Sequence, residues 1–333
     1  QTKVLPLVDV VITHGGNNSV TETFNFGKPM IVMPLFGDQY DNAQRVEEKG
    51  FGIRLNPHTV SEQELLNSIE KLLNDKLLKH KLSVALKRIQ NSNCNSKAAE
   101  AVGNVNACIG LAEVLLSRGH KIVFAIDKSF AGKLSPFGFI EEVLSSDQTS
   151  EMPGEMLAKY LLDSGLISNV SSFESIKISR DSGFMDVFFD TKRVNEPSLK
   201  AIAAKHSPDL YVIDDFIPSP TIVKSNKPWV YVVCLNPLCG FIDEKLPPSC
   251  SGFPINGNRN EWKEFKKVLN NAFVKQNIKY NEWLEEDGLP TVDVNKITIQ
   301  SPYLNIYGFP EELDYTDIRP IPEKWLRVDT FMR

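Results

Sequence analysis

The chain has 333 residues, 42% of them hydrophobic and 24% charged, the balance of a soluble globular protein with room for two domains. Its net charge of −5 and pI of about 5.7 exclude the basic face that a nucleic-acid binder needs. No uninterrupted apolar stretch approaches the ~18 residues of a membrane span.

The opening QTKVLPLVD lacks the charged-then-apolar pattern of a signal peptide, so the cytosol is the expected location. A β-branched run from Val8 to Thr13 stops at His14-Gly15-Gly16-Asn17-Asn18-Ser19. A short helix carrying Glu22 follows, then a second apolar strand from Met30 to Pro34, then Asp38-Gln39. Asp41 to Lys49 has helical composition and ends at Gly50, a plausible C-terminal cap. Phe51 to Leu55 reads as a strand broken by Asn56-Pro57. Ser61-Glu62-Gln63-Glu64 fits a capping box, opening a helix with Leu65, Ile69, Leu72 and Leu73 on one face. A further amphipathic helix covers Leu77 to Ile89, and Asn91-Ser92-Asn93 ends the series.

A new series starts at Gly103. Val105 to Arg118 is helical with Gly119 as cap, and Lys121 to Ile126 reads as a buried strand. A helix over Pro197–His206 leads into a strand from Leu210 to Asp214, and another strand covers Trp229 to Cys234. Strands alternating with helices predict an α/β fold with a mainly parallel sheet. Residues 236–258, rich in Pro, Gly, Cys and Asn, read as a long surface loop. Pro302 to Arg333 reads as a linker crossing a surface.

Five cysteines are scattered at positions 94, 108, 234, 239 and 250, a pattern of reduced thiols. No CxxC or nearby histidine completes a zinc site around Cys234, Cys239 and Cys250, so no metal is expected. Asn17-Asn18-Ser19 and Asn169-Val170-Ser171 match glycosylation sequons, which carry no weight without secretion.

The strand, glycine turn, helix, strand and Asp-Gln order of residues 8–44 has a physical logic. A helix N-terminus offers N–H groups and partial positive charge to phosphates, and glycines let backbone approach them. Ser19 and Glu22 also fit a capping box on the helix itself, and His14 also fits an ordinary strand-end histidine. The full ordered set resembles the donor signature of the UDP-glycosyltransferases. That resemblance implies that His14, Gly16, Asn18 and Ser19 meet the phosphates of a UDP-sugar, with Gln1 inside the same signature. It gives the ribose hydroxyls to Glu22 and the sugar hydroxyls to Asp38 and Gln39, the glutamine fitting glucose best. No cofactor is implied, the UDP-sugar being a co-substrate.

Residues 103–333 resemble the acceptor-binding domain of the same family through GNVNACIGLAEVLLSRGHKIVFAID and PDLYVIDDFIPSPTIVKSNKPWVYVV. The resemblance implies a GT-B type architecture of two Rossmann-like parallel-sheet parts. Residues 1–102 would be the C-terminal half of the donor domain, leaving that part incomplete, and residues 103–333 the acceptor domain with the interdomain linker. The function implied is inverting transfer of a hexose, glucose by preference, from a UDP-sugar to a hydroxyl of a small lipophilic acceptor. In the family a histidine takes the acceptor's proton and an aspartate orients it. The aspartate position fits Asp215, with Asp214 adjacent, but the histidine position holds Asn104, whose amide cannot act as a base. Asn104 also fits a helix N-cap, and His120, at the helix's other end, is no substitute. The alternatives are therefore a non-catalytic UDP-sugar-binding relative and an inactive incomplete product. Donor part before acceptor part reverses the family order, as a fragment or a join of neighbouring copies would. Open strand edges around Val10–Ile12 or Ile31–Met33 would then favour self-association.

Overall fold

A computed structural model describes residues 1, 3–91, 105–144, 153–295 and 299–331. Asn104, Cys94 and Gly103 lie outside the described residues. Every strand pairing described is parallel, and the architecture is α/β with Rossmann-like parallel-sheet parts. Among the described residues no helix is long and apolar enough to cross a membrane.

The first part alternates β1 (Val11–Thr13), α1 (Asn17–Asn25), β2 (Met30–Val32), α2 (Gln39–Glu48) and β3 (Gly52–Arg54), followed by α3 (Glu62–Asn74) and α4 (Lys76–Asn91). β2 lies between β1 and β3, and its Met30, Ile31 and Val32 are wholly buried. Ile31–Met33 is therefore not an open edge; β1 is, and Ile12 on it is exposed. The turns behave as their residues dictate. Ser61 accepts the Glu64 N–H as the N-cap of α3, and Gly50 takes φ +63° after α2, a conformation that costs glycine little.

The second series opens with α5 (Val105–Ser117), β4 (Val123–Ile126) and β5 (Ile140–Val143). Then come α6 (Pro153–Asp163), α7 (Ser172–Asp181), α8 (Phe184–His206), β6 (Tyr211–Ile213), α9 (Pro220–Lys224) and β7 (Trp229–Val233). α10 (Arg259–Glu286), β8 (Leu304–Gly308) and β9 (Trp325–Val328) complete it. The strands divide into a two-stranded sheet, β4-β5, and a four-stranded sheet in the order β6-β7-β8-β9. α5 packs on both: Ala107 and Leu111 meet Val230, Val232 and Ile306, while Ile109 and Ala112 meet Ile126, Leu134 and Phe139.

β7 is buried along its whole length, and its two-residue period sorts its neighbours. Val230 and Val232 face α5. Trp229, Tyr231 and Val233 face the other way, into the same cluster as Val20, Phe24, Ile31, Val46 and Leu82 of the first part. One buried cluster thus contains residues from both ends of the chain, including Tyr307, Phe309 and Trp325.

Four expectations are corrected. Of β4 only Ile126 is buried, because this strand sits in a two-stranded sheet with little cover. The helix expected from Pro197 begins at Phe184 and contains Pro197, the proline costing one backbone donor within a 23-residue helix. The stretch 236–258 is not a surface loop: Asn236, Leu238, Phe241, Leu246, Ser249 and Ser251 are buried. Nor is 302–333 a linker over a surface. It supplies β8 and β9, and Tyr307, Phe309 and Leu313 are fully buried.

The last segment is tied down by charge as well as burial. Arg88 of α4 grips Glu312 with Nε and Nη2 at 2.7 and 2.8 Å and reaches Asp329 at 2.6 Å, a forked geometry suited to guanidinium and carboxylate. Arg45 of α2, 2% exposed, donates to the Leu313 and Asp314 carbonyls and to Asp317.

Candidate functional site

The glycine turn after β1 is shaped by close approach. Gly15 takes φ +86°, and a Cβ there would stand 2.6 Å from Val32 Cγ1. Its N–H donates to Thr13 Oγ1 at 3.2 Å, and the Gly16 N–H donates to His14 Nδ1 at 3.2 Å. Burial holds the His14 imidazole below its ordinary pKa, so the ring is neutral and accepts at Nδ1.

Gly16 is the N-cap of α1, and no side chain caps the helix. The backbone ladder begins with the Val20 N–H on the Gly16 carbonyl, so the N–H groups of residues 17–19 precede it. Ser19 therefore sits inside the helix, where its Oγ accepts from Gln1 Nε2 at 3.3 Å. The capping box that Ser19 and Glu22 could have formed is not made. Asn17, almost fully buried, donates through Nδ2 to the Gly308 carbonyl at 3.0 Å.

Glu22 is the unusual group. Its Oε2 is buried without a hydrogen-bond partner, and burial raises its carboxyl above the usual range, opposed by the nearby amino terminus. A buried acceptor left unpaired costs free energy. A cavity of about 300 Å³ adjoins the same region, lined by Gln1, Val10, Ile12, Thr13, Ser19 and Thr23 among others. Gln1, His14, Gly16, Asn18, Ser19 and Glu22 thus share one corner of the structure, around the start of α1.

Asp38 and Gln39 are placed differently. Gln39 is 4% exposed, and its Oε1 accepts the Leu35 and Phe36 N–H groups. Asp38 Oδ2 accepts the Asn236 N–H at 2.9 Å and Asn42 Nδ2 at 3.3 Å. Burial pushes its carboxyl up to about 6, against those hydrogen bonds. Asn42 also donates to the Gly15 carbonyl at 2.9 Å and accepts from Asn236 Nδ2 at 2.8 Å. Two further N–H groups of the 236–252 stretch, those of Cys250 and Gly252, donate to Asp41. Of the two residues expected to meet the sugar, Gln39 Oε1 and Asp38 Oδ2 are thus bonded within the protein, and Asn236 lies against Asp38. Sequence reasoning missed Asp41, Asn42 and Asn236, because no local motif marks partners some 200 residues apart.

At the far side of the four-stranded sheet, Asp215 is bound by structure. It accepts the Phe216 N–H at 2.7 Å and is ion-paired with Lys192, which also donates to the Ile217 carbonyl. Asp214, beside it, has a shifted carboxyl. Burial, the first cause, and Asp215 push it up to about 7, while the Cys234 thiol and the Lys192 charge work against them. Its charge is felt by Cys108 on α5. Asn104, which precedes that helix, lies outside the described residues.

Residues 1–94 match the family model for UDP-glucoronosyl and UDP-glucosyl transferase. Those residues, somewhat more than a quarter of the chain, are similar to the UDP-glycosyltransferases. Human UDP-glucuronosyltransferases 1A9, 1A6 and 1A1 are each 43% identical to it over 77 residues, 23% of this chain and 14% of each relative. The chain thus spans about a seventh of the length of these UDP-glucuronosyltransferases. A solved structure titled as the glycotransferase of kitacinnamycin is 31% identical, covering 27% of this chain and 23% of that one, with a TM-score of 0.26. The family signature therefore falls on the segment that carries β1, α1, β2 and α2.

Proposed function

We propose that this UDP-glycosyltransferase relative binds the uridine diphosphate end of a nucleotide sugar at the start of α1 and is deficient in sugar transfer. The unpartnered Oε2 of Glu22 carries the reading. Ribose hydroxyls donate to carboxylates, and a diphosphate bridging from that ribose meets the uncapped first turn of α1, with its partial positive charge. Ser19 and Gln1 border the same turn, and neutral His14 sits across it. The deficiency follows from Asn104 at the base position: a positioned general base contributes about 10²–10⁴ in rate, and an amide supplies none.

Calorimetry with UDP tests this. The wild-type chain should bind, and Glu22→Ala should bind about 10–100-fold more weakly, since hydrogen bonds to a charged group contribute about 1.5–3 kcal/mol. Equal affinity in the two proteins would reject the ribose assignment.

A second reading is the full family reaction: inverting transfer of a hexose, glucose by preference, to a hydroxyl of a small lipophilic acceptor. The 43% identity to proteins named UDP-glucuronosyltransferases favours it. Occupied Gln39 weighs against the glucose preference. Release of UDP from UDP-glucose in the presence of a panel of phenols would establish turnover, and its absence would leave the binding role.

A further inference from the structure

We propose that Cys239, Cys250 and Asp41 form a binding site for one zinc ion, fastening α2 to the 236–252 stretch. The two Sγ atoms and a carboxylate oxygen all lie within 4.8 Å of one another. Zinc bonds sulfur at ~2.3 Å and carboxylate oxygen at ~2.0–2.2 Å. Tetrahedral ligands around it stand about 3.3–3.8 Å apart, so closure asks for shifts of about an ångström. Two thiolates with one carboxylate select a soft or borderline divalent cation over magnesium or calcium.

The site is built from distant parts of the chain. Asp41 is 2% exposed, and its two oxygens accept the N–H groups of Gly252 at 2.8 Å and Cys250 at 2.5 Å. Those bonds fix the carboxylate beside the thiols while leaving each oxygen a lone pair. Cys250 itself sits at φ +63°, a left-handed conformation that glycine adopts more cheaply. A thiol is therefore held where the backbone alone would favour its absence. Cys239 and Cys250 are half-buried, and water can supply a fourth ligand only with local adjustment. Binding replaces each S–H bond by a sulfur–zinc bond and releases the thiol protons to solvent, with no change of oxidation state.

The test uses the full chain and zinc itself. Native mass spectrometry should show one zinc per chain, and cobalt in its place should give thiolate-to-metal charge transfer and tetrahedral d–d bands. Cys239→Ser and Cys250→Ser should lose these signals, while Cys108→Ser and Cys234→Ser keep them. Should the two serine variants misfold, the wild-type chain still decides the matter. Zinc should shield Cys239 and Cys250, and not Cys108, from alkylation. The proposal is overturned if zinc adds no stoichiometric mass or gives no protection. It is equally overturned if oxidised glutathione removes two hydrogens by closing a Cys239–Cys250 disulfide while zinc leaves the chain unchanged.

Discussion

Arg45→Ala should lower the unfolding free energy by about 3–5 kcal/mol, the usual cost of removing one member of a buried charged cluster. The guanidinium is 2% exposed and holds three groups of the C-terminal segment. Nε donates to the Leu313 carbonyl at 2.7 Å, while Nη2 reaches the Asp314 carbonyl and Asp317 Oδ1 at 2.6 Å. It also lies over the Tyr315 ring at 4.5 Å, a cation–π placement. Alanine would leave buried carbonyls without donors, a penalty beyond the loss of the bonds themselves. Urea unfolding of the variant and wild type measures the difference. A loss below about 1 kcal/mol, the level of an exposed ion pair, would show that this contact does not join the chain's two ends.

Asp214→Asn should stabilise the chain at pH 8 and leave it nearly unchanged at pH 4. The carboxyl moves from 3.8 to about 7 on folding, chiefly through burial. Between those values the folded state keeps a proton that the unfolded state has released. Stability therefore falls as pH rises from about 4 to about 7. At about 1.4 kcal/mol per pKa unit, the effect is on the order of 4 kcal/mol. Asparagine keeps an acceptor for the Cys234 thiol and has no proton to lose, so that part of the slope disappears. Asp38 and Asp41, raised to about 6 and about 7, slope the same way in both proteins, and the difference between the two pH profiles isolates Asp214. Parallel profiles would show that its carboxyl ionises freely.

The parts of the fold that were legible in the sequence are those set by near neighbours. Gly50 and Gly119 end their helices with φ +63° and +86°, and Ser61 caps α3. The β-branched runs of β2 and β7 are the buried strands their composition predicts. What failed depended on distant partners. Prolines and glycines in 236–258 signal a turn-rich path, but whether that path is exposed depends on Asp38, Asp41 and Asn42, which receive it. β8 and β9 hide among prolines and become strands because β7 offers an edge.

The candidate site divides the same way. The residues around the start of α1 are contiguous in sequence and meet in space, so their grouping was visible. Asp38 and Gln39 were singled out from the signature, yet their hydrogen-bond partners could not be read from the chain. Cys239 and Cys250 are separated by ten intervening residues with no spacing motif, and only the path that brings Cys250 to Asp41 makes them neighbours.

Asn236 pressed onto Asp38 and Asn42 has a consequence for ligand preference. Under the proposed placement, a hexose on the terminal phosphate would meet an Asp38 Oδ2 and a Gln39 Oε1 that are already bonded within the protein, and it should add little attraction. If the chain binds nucleotide as proposed, titrations with UDP and with UDP-glucose should then give affinities within a few fold of each other.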